Sequence, residues 1–298
     1  MADAETRSRR RVSRRQFLRT GAVAVGVGAV GRMALGAAGG DEAITIGVFT
    51  DAHYADRDAR GSRHYRDSAE KLEEFVRTMN AEKPALAIVL GDFVDKGKDV
   101  ATEKAYLDRI EGIYRGFKGQ RHHVIGNHDV ATLTKDQFLA GTGSPAPHYA
   151  FDVGPFHFIV LDACYRKDGT SYAPGNFKWS ESLIPPDELK WLSSDLRGTK
   201  KPTGVFVHQR LDEDTNVHTV QNAAEVRRLL EKSGKVLAVF SGHDHKGGYT
   251  RIGGIHYVTM RAMVEGPGMQ NNAYALVRIT PTRIHVRGFG KQPERAVS

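Results

Sequence analysis

Five short apolar runs in this 298-residue chain each end on side chains that bind metals or move protons. Ile44–Thr50 is followed by Asp51-Ala52-His53. Ala85–Leu90 leads into Gly91-Asp92-Phe93-Val94-Asp95. His122–Ile125 leads into Gly126-Asn127-His128-Asp129. Gly204–Val207 stops at His208. Val236–Phe240 and Ser241 precede Gly242-His243-Asp244-His245. The runs have strand length, carry many β-branched residues and are mostly bounded by Gly, Pro, Asp or Asn. A chain that places Asp, Asn or His after five strands has the layout of an α/β sheet with ligands at its carboxyl edge.

Four further runs predict strands: Phe156–Leu161, Ile255–Thr259, Ala273–Ile279 and Arg283–Val286. Helical patterns lie between several of them. Asp67, with Glu70 three residues on, is placed to cap a helix whose apolar face is Ala69, Leu72, Val76 and Met79. Ala105, Leu107 and Ile110 predict a second helix. Leu189, Leu192 and Leu196 predict a third, and residues 224–230 a fourth. The pattern is α/β early and β-rich late. It predicts one domain over residues 41–298, with sheets covered by helices.

Asp51, His53, Asp92, Asn127, His208, His243 and His245 are seven candidate metal ligands. Carboxylates, imidazoles and an amide oxygen suit Mn²⁺, Fe or Zn²⁺. Seven donors exceed what one ion takes, so the count implies two metals. If Asp92 gives one oxygen to each, each ion receives four protein ligands and keeps room for water and substrate. The chain has one cysteine, Cys164. An internal disulfide and a cysteine zinc cluster are therefore ruled out.

The ordered pattern D-x-H, GD-x-x-D, GNHD, isolated H and GHDH resembles the calcineurin-like metallophosphoesterases, over about 200 residues from Asp51 to His245. The resemblance implies an α/β fold, a β-sandwich of two mixed sheets flanked by helices. It implies one metal on Asp51, His53, Asp92 and His245, and a second on Asp92, Asn127, His208 and His243. It implies a catalytic His128 beside the substrate, with Asp129 orienting its imidazole. Two cations about 4 Å apart then hold a bridging hydroxide that attacks phosphorus in line, with manganese the favoured metal. Asp95 and Asp244 are either support for the ligands or solvated carboxylates. The other eight histidines match no motif and are expected to be structural or on the surface.

Purple acid phosphatases carry a metal-binding Tyr where this chain has Asp95, which argues against an Fe³⁺–tyrosinate centre. His53-Tyr54-Ala55-Asp56, Gly61-Ser62-Arg63 and Tyr65-Arg66-Asp67-Ser68 resemble the branch of manganese-dependent ADP-ribose/CDP-alcohol diphosphatases. Some members of that branch have Gln at the position of His53. Arg63 and Arg66 are candidate substrate residues, since an arginine grips a second phosphate bidentately. A twenty-residue irregular stretch from Tyr165 to Pro186 holds Tyr172, Phe177 and Trp179. It is either a binding loop whose aromatics stack a nucleobase or a small satellite core. Glu265-Gly266-Pro267-Gly268 is expected only as a rim turn.

The formal net charge of +8 is concentrated in the leader. Residues 1–40 hold eight arginines against Asp3 and Glu5, and the remainder is nearly neutral. A nucleic-acid partner is therefore not expected. Ser13-Arg14-Arg15-Gln16-Phe17-Leu18-Arg19 looks like a twin-arginine export signal, and the uncharged run from Thr20 to Gly31 follows. That run is too short and Gly-rich for a stable membrane span. The expected partners are the twin-arginine export machinery and a small phosphorylated substrate, and the expected location is periplasmic or extracellular. An uncleaved leader acting as an anchor is the alternative. The activity expected is hydrolysis of small phosphate esters or diphosphates. The competing readings are a broad phosphomonoesterase, a nuclease, and a non-catalytic scaffold of the same fold that only binds partners.

Overall fold

A computed structural model describes residues 42–298, and the proposed leader lies outside them. Among the described residues the chain forms twelve strands and five α-helices. The first sheet contains β1 (Ile44–Phe49), β2 (Leu86–Val89), β3 (Gln120–His123), β10 (Ala273–Ile279), β11 (Ile284–Gly290) and β12 (Arg295–Val297). Its order is β12-β11-β10-β1-β2-β3. The second contains β4 (Tyr149–Val153), β5 (Phe156–Val160), β6 (Thr203–Phe206), β7 (Val236–Ser241), β8 (Gly248–Ile252) and β9 (Ile255–Thr259). Its order is β4-β5-β6-β7-β9-β8. Both sheets are mixed. β1, β2 and β3 run parallel, as do β5, β6, β7 and β9, while β10 pairs antiparallel with β1.

Alternation along the strands builds three apolar layers. Ile46, Val48 and Ile88 of the first sheet meet Phe158, Phe206 and Phe240 of the second in the sandwich interior. Phe49 and Val89 point the other way, onto α1 (Asp67–Glu82), α2 (Val100–Tyr114) and α3 (Lys135–Thr142). Val205 and Val239 pack outward on α4 (Pro186–Gly198) and α5 (Ala223–Ser233). Strands buried on both faces read as unbroken apolar runs, which is why they were visible in the sequence. The expected β-sandwich flanked by helices is present. No helix among the described residues is long and apolar enough to cross a membrane.

Local expectations differ at several points. Asp67 does not cap α1 but is its first residue; its carboxylate accepts the Gly268 N–H at 2.8 Å instead. Ala105 faces solvent, and the buried face of α2 runs through Glu103, Leu107, Ile110 and Tyr114. The third expected strand begins and ends two residues earlier than its apolar run. The unforeseen strands β4, β8 and β12 are all sheet edges, only half-buried, and so lack the apolar runs of the interior strands. α3 is short, and is set by a capping box between Thr134 and Gln137.

Candidate metal centre

The carboxyl ends of β1, β2 and β7 leave their strands through abrupt turns. Asp51, His53, Asp92 and His243 all have left-handed backbones, with φ of 50°, 43°, 50° and 63°. Such non-glycine conformations cost on the order of 1–3 kcal/mol each and are kept where the surroundings fix them. The turns brace one another. The N–H groups of Asp51, His53 and Tyr54 donate to the carbonyls of Gly91, Asp92 and Phe93. Met263 and Val264 donate to Thr50 and Asp51, which brings the segment after β9 alongside.

Three groups of potential donors result. Asp51, His53 and His245 form the first, Asp92, His208 and His243 form the second, and His53 also groups with Asp95 and His128. In the first, His53 Nε2 lies 3.2 Å from His245 Nε2 and 3.7 Å from Asp51 Oδ1. In the second, His208 Nε2 lies 3.2 Å from Asp92 Oδ2 and 3.1 Å from Asn127 Oδ1. Asp92 Oδ2 also sits 3.5 Å from His53 Nε2, so one oxygen faces both clusters. This differs from one Asp92 oxygen for each ion. Oδ1 is committed elsewhere: it accepts the His128 backbone N–H at 2.7 Å.

The residues present fit a pair of cations. Asp51 Oδ1 and His243 Nε2 are buried without any hydrogen-bond partner. Such atoms are costly unless something answers them. Two imidazoles have their Nδ1 committed, His208 to the Leu90 carbonyl at 2.8 Å and His245 to Glu265 at 2.5 Å, while His53 Nδ1 only faces Asp95 Oδ2 at 3.3 Å without a hydrogen bond. In the first two, Nε2 is thereby left toward the cluster, the arrangement metal-binding histidines adopt. Burial opposes charge on His53, yet Asp92, Asp51 and Asp95 carry its pKa up to about 10. Burial likewise opposes charge on His208, but Asp92 raises it to about 9. The carboxylates therefore favour positive charge beside His53 and His208. His243, lowered by burial and by His208, is a neutral donor.

His128 reaches the cavity edge, next to His53 with ring centroids 4.6 Å apart. The expectation that Asp129 orients it is not met. The Asp129 carboxylate accepts the backbone N–H groups of Phe93, Val94 and Gly126 at 2.7, 3.0 and 2.8 Å. It binds the two loops together and leaves the imidazole alone. Burial, with the nearby Asp92 charge, pushes Asp129 up to about 8. Asp95 holds the ring instead: its Oδ1 lies 3.2 Å from His128 Nδ1, while Oδ2 faces His53 Nδ1. Arg57 lies 2.9 Å from the same Oδ2.

Arg63 lines the cavity. Arg66 does not: its guanidinium is held by Asp56 and Asp58, at 2.6 Å each, on the surface. The loop aromatics divide. Tyr172 is buried in the core, whereas Phe177 and Trp179 line the cavity. Asp244 is held by Arg210 at 2.8 Å. Most of the other histidines have structural partners, His123 on Glu111 and His157 on Asp152 and Asp195 among them. His218 is different, since it lines the cavity against His243 with ring centroids 5.3 Å apart. Glu265 is more than a rim turn: it anchors His245. Its loop is pinned from below by Lys71 Nζ, which donates to the carbonyls of Met263, Glu265 and Gly266. No spacing rule connects Glu265 to His245, and no motif marks His218.

A glycine sets the closest approach. A Cβ on Gly126 would fall inside contact distance of the Asp92 N and Oδ1 atoms. Gly126→Ala is therefore expected to destabilise the fold by about 1–3 kcal/mol and to weaken metal uptake. Thermal unfolding with and without Mn²⁺ checks this; a wild-type response to the metal would contradict it.

A family model described as calcineurin-like phosphoesterase matches residues 44–247. The chain belongs to this family. Among curated relatives, the manganese-dependent ADP-ribose/CDP-alcohol diphosphatase of Oryza sativa subsp. japonica is 25% identical over 84% of this chain and 92% of its own length. The Bos taurus protein of the same description is 23% identical over 85% and 94%. A dimetal phosphatase from Danio rerio shares the fold with a TM-score of 0.74, at 20% identity over 86% of this chain and 98% of its own. A Plasmodium protein described as the anchor in the inner membrane complex also shares it, with a TM-score of 0.59 at 16% identity over 86% and 89%. This calcineurin-like phosphoesterase is thus a distant relative of the diphosphatases, with candidate dimetal clusters of His and Asp at its strand ends.

Proposed function

We propose that this chain is a two-metal hydrolase of small phosphate esters or diphosphates of the ADP-ribose/CDP-alcohol kind. The observation that carries the reading is Asp92 Oδ2, which faces His53 of one donor group and His208 of the other beside a cavity lined by Asp92, His243 and His245. In this reading one ion is held by Asp51, His53, Asp92 and His245. The other is held by Asp92, Asn127, His208 and His243. Manganese is the proposed metal because the donors are nitrogen and oxygen without thiolate, and the curated relatives are manganese-dependent by description. Iron or zinc also suits the donor set. Two such cations polarise a phosphoryl group and make water nucleophilic at neutral pH.

The chain's own residues supply the rest. His128 Nε2 protonates or hydrogen-bonds the departing oxygen while Asp95 fixes the ring through Nδ1. Arg63 grips a second phosphate at the cavity wall. Cys164 supplies no nucleophile, as it is buried in the core with its thiol pushed up by burial and by Asp162. The proposed route is direct transfer of the phosphoryl group to water, with the leaving oxygen departing on the opposite side. Arg63→Ala is expected to raise KM for a diphosphate roughly tenfold to a hundredfold and to affect a phosphomonoester less. Equal effects on both would remove the second-phosphate role.

The test is incubation of the full chain with Mn²⁺ and ADP-ribose, followed by product identification. AMP plus ribose 5-phosphate is the expected result. No cleavage with both metals bound would remove ADP-ribose as a substrate and favour phosphomonoesters. Residues 1–40 are proposed as a twin-arginine export signal, with the mature chain periplasmic or extracellular. Replacing Arg14 and Arg15 together by Lys is expected to retain the precursor in the cytoplasm; normal export would contradict the proposal.

A further inference from the structure

The cavity has an apolar wall that the metal chemistry does not need. Among the described residues three large hydrophobic side chains are exposed, and two of them, Trp179 and Val217, line this cavity. They come from separate loops that meet there. Trp179 lies 5.7 Å from the His218 ring, and both rings lie against His243, at 6.2 and 5.3 Å between centroids. An aromatic surface thus runs outward from the second donor cluster. Arg63 lines the same cavity.

Both loops are built to present these side chains. The hydroxyl of buried Tyr172 donates to the carbonyls of Lys178 and Glu181, on either side of Trp179. The nearly buried Glu181 carboxylate accepts from Lys178 Nζ at 2.6 Å and from Arg166 Nε at 3.2 Å. On the other loop, Asn216 Oδ1 accepts from the His218 backbone at 2.9 Å and lies 3.0 Å from its Nδ1. Val217 is left at the tip. An indole left open to water on a pinned loop forgoes burial it would otherwise gain, which marks a binding surface for an apolar planar group.

We propose that Trp179, with Val217 and His218, stacks the planar base of a nucleotide-type substrate and so selects phosphate compounds that carry an aromatic ring. This rests on the phosphoesterase reading for what happens to the phosphate, and deepens it by naming the group recognised beside it. Stacking on an exposed aromatic tolerates different bases, because each has a π-face. The wall therefore selects ring-bearing substrates over ring-free ones, with little choice among bases.

The experiment compares AMP with ribose 5-phosphate, which differ in the ring, on the Mn²⁺-loaded full chain. In a Trp191→Phe variant Trp179 is the only indole of the chain, so its emission reports the wall. AMP is expected to quench that emission saturably and ribose 5-phosphate to leave it nearly unchanged. By titration calorimetry, Trp179→Ala is expected to weaken AMP about tenfold or more beyond any effect on ribose 5-phosphate. In turnover of ADP-ribose the same variant should raise KM far more than it lowers kcat. Equal weakening of both ligands, or an AMP titration without quenching, overturns the proposal even if ADP-ribose is cleaved. Ring-dependent binding without cleavage upholds the wall and instead overturns the diphosphatase reading.

Discussion

Asp92→Asn is expected to lower kcat/KM by on the order of a thousandfold or more and to reduce bound Mn²⁺ below two per chain. Asp92 is buried, and its Oδ2 faces His53 at 3.5 Å and His208 at 3.2 Å. The amide is nearly isosteric and keeps an oxygen for the His128 N–H. What it removes is the negative charge at the junction of the clusters. Asp92 is the leading attractive influence behind the raised His53 and His208. Substituting it leaves both sites with fewer anionic donors, so the metal loss is intrinsic to the change. Two firmly bound ions in the variant would show that the clusters do not share this carboxylate.

His128→Ala is expected to separate turnover from metal binding. Turnover should fall by about 10²–10⁴, the range for loss of a positioned acid, while metal content stays at the wild-type value. His128 belongs to neither the Asp51 nor the Asp92 donor group, although it groups with His53 and Asp95, and its ring is oriented by Asp95 and flanked by Phe177. The loss should be smaller for substrates whose leaving group needs no proton, such as a nitrophenolate. Metal loss in this variant would make His128 a ligand; an equal loss on every leaving group would make its role electrostatic instead of proton transfer.

The sandwich and its ligand-bearing edge were legible because buried strands carry continuous apolar runs and because the putting of Asp, Asn and His at their ends is a local pattern. All seven candidate ligands converge for that reason. Edge strands such as β4 and β8 were not legible, since half-burial removes the apolar run that marks a strand. The supporting residues were the least legible. Asp129 stands next to His128 in sequence, yet its carboxylate serves three backbone N–H groups, and Asp95, 33 residues away, holds the imidazole. Glu265 reaches His245 through a loop that Lys71 pins from α1. Contacts of that kind depend on tertiary placement, which neighbouring residues do not encode. Arg66 shows the converse: it lies near the motif in sequence, but Asp56 and Asp58 hold it on the surface.

The two clusters are proposed to form one dinuclear centre joined by Asp92. Electron paramagnetic resonance on protein stripped with a chelator and reloaded with Mn²⁺ tests it most directly. Two manganese ions per chain with an exchange-coupled spectrum is the predicted result, the coupling being lost in Asp92→Asn. A single ion per chain, or two ions each giving the isolated six-line signal, would contradict it.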